Sequence, residues 1–283
     1  TSFVGTAECL MNPWYWLVAC GVVVSIMVGL PPLMTLLAEG GLKRYNYRRE
    51  EIPTAVGLLP AASAAMAAMA VGSLAAYDPA VRLAAGIFGA ALIGLLDDAA
   101  GNRSATGLRG HWRQFAAGRL STGALKALFI PLLSLLLAYD ATKPAVWVLL
   151  DGAIIAMSAN MLNLLDVRPG RAIKAGMILL LLVLPALSSD PQMAALWGMI
   201  ALAMVTYAPV DLQAKAMLGD SGANAFGLAA GWLTVQQWGL GGKIALLAVL
   251  VGLHLLSERT SLSNIIDRSR LLRAVDRWGR QED

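Results

Sequence analysis

Residues 14–37 read WYWLVACGVVVSIMVGLPPLMTLL, a run of 24 positions without a charge. A helix needs roughly 20 apolar residues to cross the hydrocarbon of a bilayer, so this run predicts a membrane span. It is too long for the core of a signal peptide and carries no small-residue cleavage pattern. It also runs straight into Lys43, Arg44, Arg48 and Arg49, so it is expected to stay in the membrane.

Working outward, eight further apolar stretches centre on Ala55–Ala76, Val81–Leu96, Thr122–Ala138, Ala145–Leu165, Ala172–Leu187, Gln192–Pro209, Ser221–Val235 and Lys243–Ser257. The eighth of the nine, Ser221–Val235, is short. Composition agrees with a membrane chain: 283 residues, 58% apolar, 14% charged, mean hydropathy +0.64. Soluble domains carry about 25% charged residues, and disordered, collagen-like and coiled-coil chains have other signatures. The two cysteines, Cys9 and Cys20, are too few for a disulfide framework. No linker or internal repeat divides the chain. The fold expected is all-α, a single polytopic bundle over 1–283 with about nine transmembrane helices.

Basic residues orient that bundle. With the N-terminus outside, the loops 38–54, 97–121, 166–171, 210–220 and the tail 258–283 face the cytoplasm. Together with Lys126 and Lys174 they hold 19 of the 22 Lys and Arg residues. Arg82, Lys143 and Lys243 remain for the other face. Such asymmetry is the positive-inside pattern of a multi-pass cell-membrane protein. It explains the net charge of +4 without nucleic acid. In the tail, Ile265, Ile266, Leu272, Val275 and Trp278 recur at helical spacing between arginines. That pattern suits an amphipathic helix on the inner leaflet in contact with membrane lipids, or one packed on the bundle.

Carboxylates gather on the same face. Asp97 and Asp98 end the third stretch, Asp166 ends the fifth, and Asp220 begins the eighth between Gly219 and Gly222. Acids at the ends of apolar helices are costly unless something uses them. Their convergence calls for a cation, and hard oxygen ligands favour Mg²⁺, with Mn²⁺ as an alternative. The loop GNRSATGLRGHWRQFAAGRLSTGALK at 101–126 adds phosphate-clamping cations, including Arg109, and His111 within reach of phosphate. Lys126 stands about one turn into an apolar helix, where a bare ammonium needs a partner; Lys174 raises the same question. Asn160, Asn163 and Asp166 recur at i, i+3 and i+6, nearly one helix face. Amides there either glue helices together or line a polar cleft, and two leading up to an acid favour the cleft. His254, alone in the ninth stretch, reads as a satisfied interior residue.

Four stretches carry a resemblance: IPTAVG at 52–57, GLLDD at 94–98, NMLNLLD at 160–166 and MLGDSGAN at 217–224. In this order, on one face, they resemble motifs of the polyprenyl-phosphate N-acetylhexosamine-1-phosphate transferase superfamily. The resemblance implies transfer of a sugar-1-phosphate from a nucleotide sugar to a polyprenyl phosphate, for cell-envelope glycans. It implies that Asp97, Asp98 and Asp166 are catalytic and that Asp220 and Asp98 hold Mg²⁺. It implies that Asn163 and Asp166 shape the donor cleft and that Lys126 holds phosphate; Asn160, Arg109, His111, Arg168, Arg171, Thr54 and Met217 are read as further substrate contacts, and a homodimer is an allowed assembly.

The chain also departs from that pattern. After Asp166 it reads VRPGRAIK, so Pro169 stands where the family has a second acid, and Arg168 and Arg171 are added. Met217 occupies a position often held by Phe, and the histidine-rich last cytoplasmic loop is missing. These departures leave the donor base open and motivate an alternative, a non-catalytic paralogue that binds or moves polyprenyl-linked lipids. A cation transporter fits less well, because transport places acids near the midplane.

Overall fold

A computed structural model describes residues 13–101, 121–184 and 190–280. Helix α1 (Pro13–Glu39) leads to a short hairpin of β1 (Lys43–Tyr45) and β2 (Glu51–Pro53), paired antiparallel with Arg44 opposite Ile52. Helices α2 (Leu58–Ala75), α3 (Asp78–Ala100), α4 (Thr122–Ala138), α5 (Ala145–Leu165) and α6 (Arg171–Val183) follow. Then come α7 (Pro191–Leu212), α8 (Gly219–Gln237), α9 (Leu240–Arg259), α10 (Leu262–Arg268) and α11 (Arg270–Arg277). Among the described residues six helices, α1, α2, α3, α5, α7 and α9, are long and apolar enough to cross a membrane. The chain is an all-α, multi-pass bundle. Of the other expected spans, α4 has 17 residues, α6 has 13 and α8 has 19.

Lipid is as apolar as leucine, so helices in a membrane associate through close packing and polar contacts more than through apolar burial. The sequence supplies small residues for this. Helix α2 reads LLPAASAAMAAMAVGSLA, and Ser63 meets Ser25 of α1 at 2.9 Å. The short eighth stretch lies at the centre of the bundle: Ser221–Val235 of α8 is buried along its whole length. Protein on every side removes the need for a lipid-facing surface, and the first part of α8 is rich in Gly and Ala. Its first turn lies against Gly94 of α3, where a Cβ would stand 2.3 Å from the Asp220 carbonyl oxygen.

Helices alternate in direction, which sorts the loops to two ends. One end holds the hairpin, the α5–α6 and α7–α8 turns and the tail. At the other, Arg82 donates to the Tyr139 carbonyl. There the buried Asp151 pairs with Lys243 at 2.7 Å and Lys143 at 3.7 Å, which accounts for an acid inside an apolar helix.

The tail differs from the expected single amphipathic helix. It breaks at Ser269 into α10 and α11, and it docks on the bundle through charge. Asp276 is buried against Arg171, which donates to its two oxygens at 2.8 and 3.1 Å; Arg280 adds a contact at 3.1 Å. Lys174, whose partner was unknown from sequence, donates to the carbonyls of Val275 and Asp276. Leu271 and Trp278 stay exposed.

Candidate functional site

The first backbone N–H groups of a helix have no partner within it and carry its partial positive charge. Carboxylates from two other helices supply those partners for α8. Asp98, at the end of α3, accepts from the N–H of Asp220 and of Ser221, each at 3.1 Å. Asp166, just past α5, accepts from Gly219 N–H at 2.9 Å. Gly219 has φ +72°, and a Cβ there would lie 2.6 Å from Asp98, so this junction requires glycine. Burial, reinforced by the charge of Asp211, pushes the Asp166 carboxyl well above the usual range, against the hydrogen bond from Gly219.

Beyond this cap, Asp220 points its side chain to Lys126. The ammonium of Lys126 lies between Asp97, at 2.8 Å, and Asp220, which it also contacts. All three side chains are at least three-quarters buried. Asn163, its amide oriented to satisfy both neighbours, donates to Asp220 at 2.7 Å and accepts from Lys126 at 3.0 Å. Four distant segments thus place two carboxylates, an ammonium and an amide around one point.

Backbone bonds tie in the remaining motif, IPTAVG at 52–57. Met217 N–H donates to Pro53, Val56 N–H to Met217 and Gly57 N–H to Leu218, at 2.9 to 3.2 Å. Ala55 adopts φ 62° in that crossing, a conformation of order 1–3 kcal/mol above the usual ones. Thr54 and Met217 thereby reach the site.

These residues line one cavity of about 1180 Å³. It brings together Asp97, Asp98, Asp166, Asp220, Lys126, Asn160, Asn163, Thr54, Met217 and Arg168. Arg44 of the hairpin also faces it and donates to the Asp98 carbonyl at 3.3 Å. Ile130, Pro131, Ala156 and Met157 form an apolar wall beside the charged cluster. Arg109 and His111 lie outside the described residues. Arg171 departs from its expected place beside substrate: it is 5% exposed, bonded to Asp276 and Ser263, and absent from the cavity lining.

Asp211 is the residue that the sequence reading passed over. It ends α7 on the same end of the bundle, is buried, and lines the cavity. Its carboxylate accepts from Gly170 N–H at 2.7 Å and so fixes the turn that carries Arg168. Its signal was available, since it too is an acid at the end of an apolar helix.

For a divalent cation the donor set is small. Among the described residues no three acidic, His or Cys side chains form a cage. Asp98 turns both oxygens to α8, which leaves Asp97 and Asp220 as the carboxylates converging on one point. Two carboxylates suffice for Mg²⁺ when waters and substrate phosphates complete its shell. No family model matches the chain, and no curated protein was found to be similar to it.

Proposed function

We propose that this chain transfers a sugar-1-phosphate, of the N-acetylhexosamine type, from a nucleoside-diphosphate sugar to a polyprenyl phosphate. The observation that carries this reading is the meeting of Asp97, Asp220, Lys126 and Asn163 in a cavity with one charged and one apolar wall. A charged wall suits a diphosphate, and an apolar wall suits the chain of a lipid. The bundle is read as nine crossings with the N-terminus outside. The site then faces the cytoplasm, where soluble nucleotide sugars meet membrane lipid, because the cavity end carries most of the basic residues.

In this reading an oxygen of the lipid phosphate attacks the phosphorus that bears the sugar. The bond to the second phosphate breaks and a nucleoside monophosphate leaves. Asp97 and Asp220 would hold Mg²⁺, which supplies neutralisation of the diphosphate and of the departing charge when bound. Lys126, released from between them, would meet phosphate oxygens, with Arg168 and Arg44 as further clamps. Asp98 and Asp166 act by fixing the start of α8, and with it the position of Asp220.

The alternative, a non-catalytic binder of polyprenyl-linked lipid, draws on one observation: the Lys126 ammonium fills the point a metal would take. Purified protein incubated with Mg²⁺, polyprenyl phosphate and a panel of nucleotide sugars separates the two. Nucleoside monophosphate release from one donor supports the transferase. Retained polyprenyl phosphate without release from any donor supports the binder.

A further inference from the structure

His254 on α9 and Asn160 on α5 meet across the cavity wall. The Nδ1 atom of His254 lies 2.7 Å from the Leu250 carbonyl, which can only accept, so Nδ1 carries the hydrogen. In a neutral imidazole that leaves Nε2 as an acceptor. Nε2 stands 3.0 Å from the Asn160 amide, so the amide turns its NH₂ to the histidine. The planar amide then directs its carbonyl oxygen the other way, and among the described residues no donor meets that oxygen. Asn163, one turn on, differs: both ends of its amide are engaged by Asp220 and Lys126. Of the two asparagines, Asn160 alone has a carbonyl oxygen that meets no donor among the described residues.

We infer that His254 is a positioning residue that holds the Asn160 carbonyl oxygen in the cavity as an acceptor for a hydroxyl or N–H of the sugar-nucleotide donor. An ionised phosphate offers only acceptor oxygens, so this contact selects the donor substrate and is blind to the lipid phosphate. Asn160 sits where such selection is useful, between the charged cluster and the apolar wall at Ile130 and Met157. The inference rests on the transferase reading for its substrate and on hydrogen-bond geometry alone for its orientation.

Two measurements test it separately. In transfer assays with the donor that the panel identifies, His254→Leu should raise KM for that donor about 3- to 10-fold, the worth of one hydrogen bond. KM for polyprenyl phosphate should stay within about twofold, and His254→Gln, which can offer an oxygen near the Nε2 position, should restore the donor KM. A rise in the lipid KM, or an unchanged donor KM, overturns the assignment. Nitrogen NMR of labelled histidine in nanodiscs needs no turnover. It should show a protonated Nδ1 and a bare Nε2 whose resonance moves in Asn160→Leu. A protonated Nε2 overturns the orientation whether or not transfer is found, whereas absence of transfer with this NMR result intact counts against the proposed function instead.

Discussion

Asp98 accepts a hydrogen bond from the backbone N–H of Asp220 at 3.1 Å, although the two residues stand 122 positions apart. One aspartate of the pair motif therefore caps the helix that begins with the other acidic motif, and the remaining aspartate, Asp97, shares Lys126 with Asp220. Adjacent acids do different work because successive positions on a helix face different directions.

The cap makes Asp98→Asn a stability variant. An asparagine side chain can accept at one position and presents a donor to the other N–H, leaving a buried group unpaired. The expected loss is about 1–3 kcal/mol. Thermal unfolding of the purified protein should show it, with a smaller loss for Asp97→Asn, whose partner Lys126 keeps Asp220.

Gly94→Ala tests the approach of α3 to α8. The added methyl would meet the Asp220 carbonyl oxygen at 2.3 Å, backbone that cannot rotate away. Helix separation should cost about 1–3 kcal/mol or more and draw Asp98 from its cap. Gly198→Ala, inside α7 where a Cβ meets nothing within 4 Å, is the control and should hold or raise the unfolding temperature.

How much of this was readable beforehand depends on what each residue answers to. Asp97, Asp98, Asp166 and Asp220 stood out because apolar helices avoid acids, and the Lys and Arg count put them all on one face. Ser221–Val235 read as a weak span because hydropathy reports contact with lipid, while α8 touches protein all round. The role of Arg171 was hidden in pairing: its partner Asp276 lies 105 positions away in a tail that itself resembled a lipid-surface helix. Asp211 was readable by the rule applied to the other acids, and only the absence of a motif around it kept it out.

The tail contact should respond to pH. Burial opposes the charge on Asp276, yet the hydrogen bond from Arg171 and the charges of Arg171, Arg280 and Lys174 outweigh it, so the carboxyl titrates below its ordinary 3.8. A folded-state value below the unfolded one stabilises docking above the unfolded value, and the gain is lost as pH falls through the lower one. Hydrogen exchange in 270–280 should stay slow at neutral pH and speed up only in acid below 3.8. Arg171→Ala, which leaves the Asp276 carboxylate to Arg280, should weaken the docking and speed exchange of the same segment at neutral pH.

Lys126 competes with any cation for Asp97 and Asp220. In the absence of substrate, Lys126→Ala should tighten Mn²⁺ binding, measured by paramagnetic resonance, by about tenfold or more. Asp220→Asn in the same background should abolish that gain. Equal Mn²⁺ affinity in the wild type and Lys126→Ala would show that the two carboxylates do not form the cation site.

In the proposed transferase, Asp97 and Asp220 jointly serve phosphate transfer. The decisive measurement is release of nucleoside monophosphate from a nucleotide sugar, dependent on both polyprenyl phosphate and Mg²⁺. The wild type should release it, and Asp97→Asn and Asp220→Asn should each lose about 10²-fold or more. Release that persists in both folded variants, or fails in the wild type with every donor, would contradict this role.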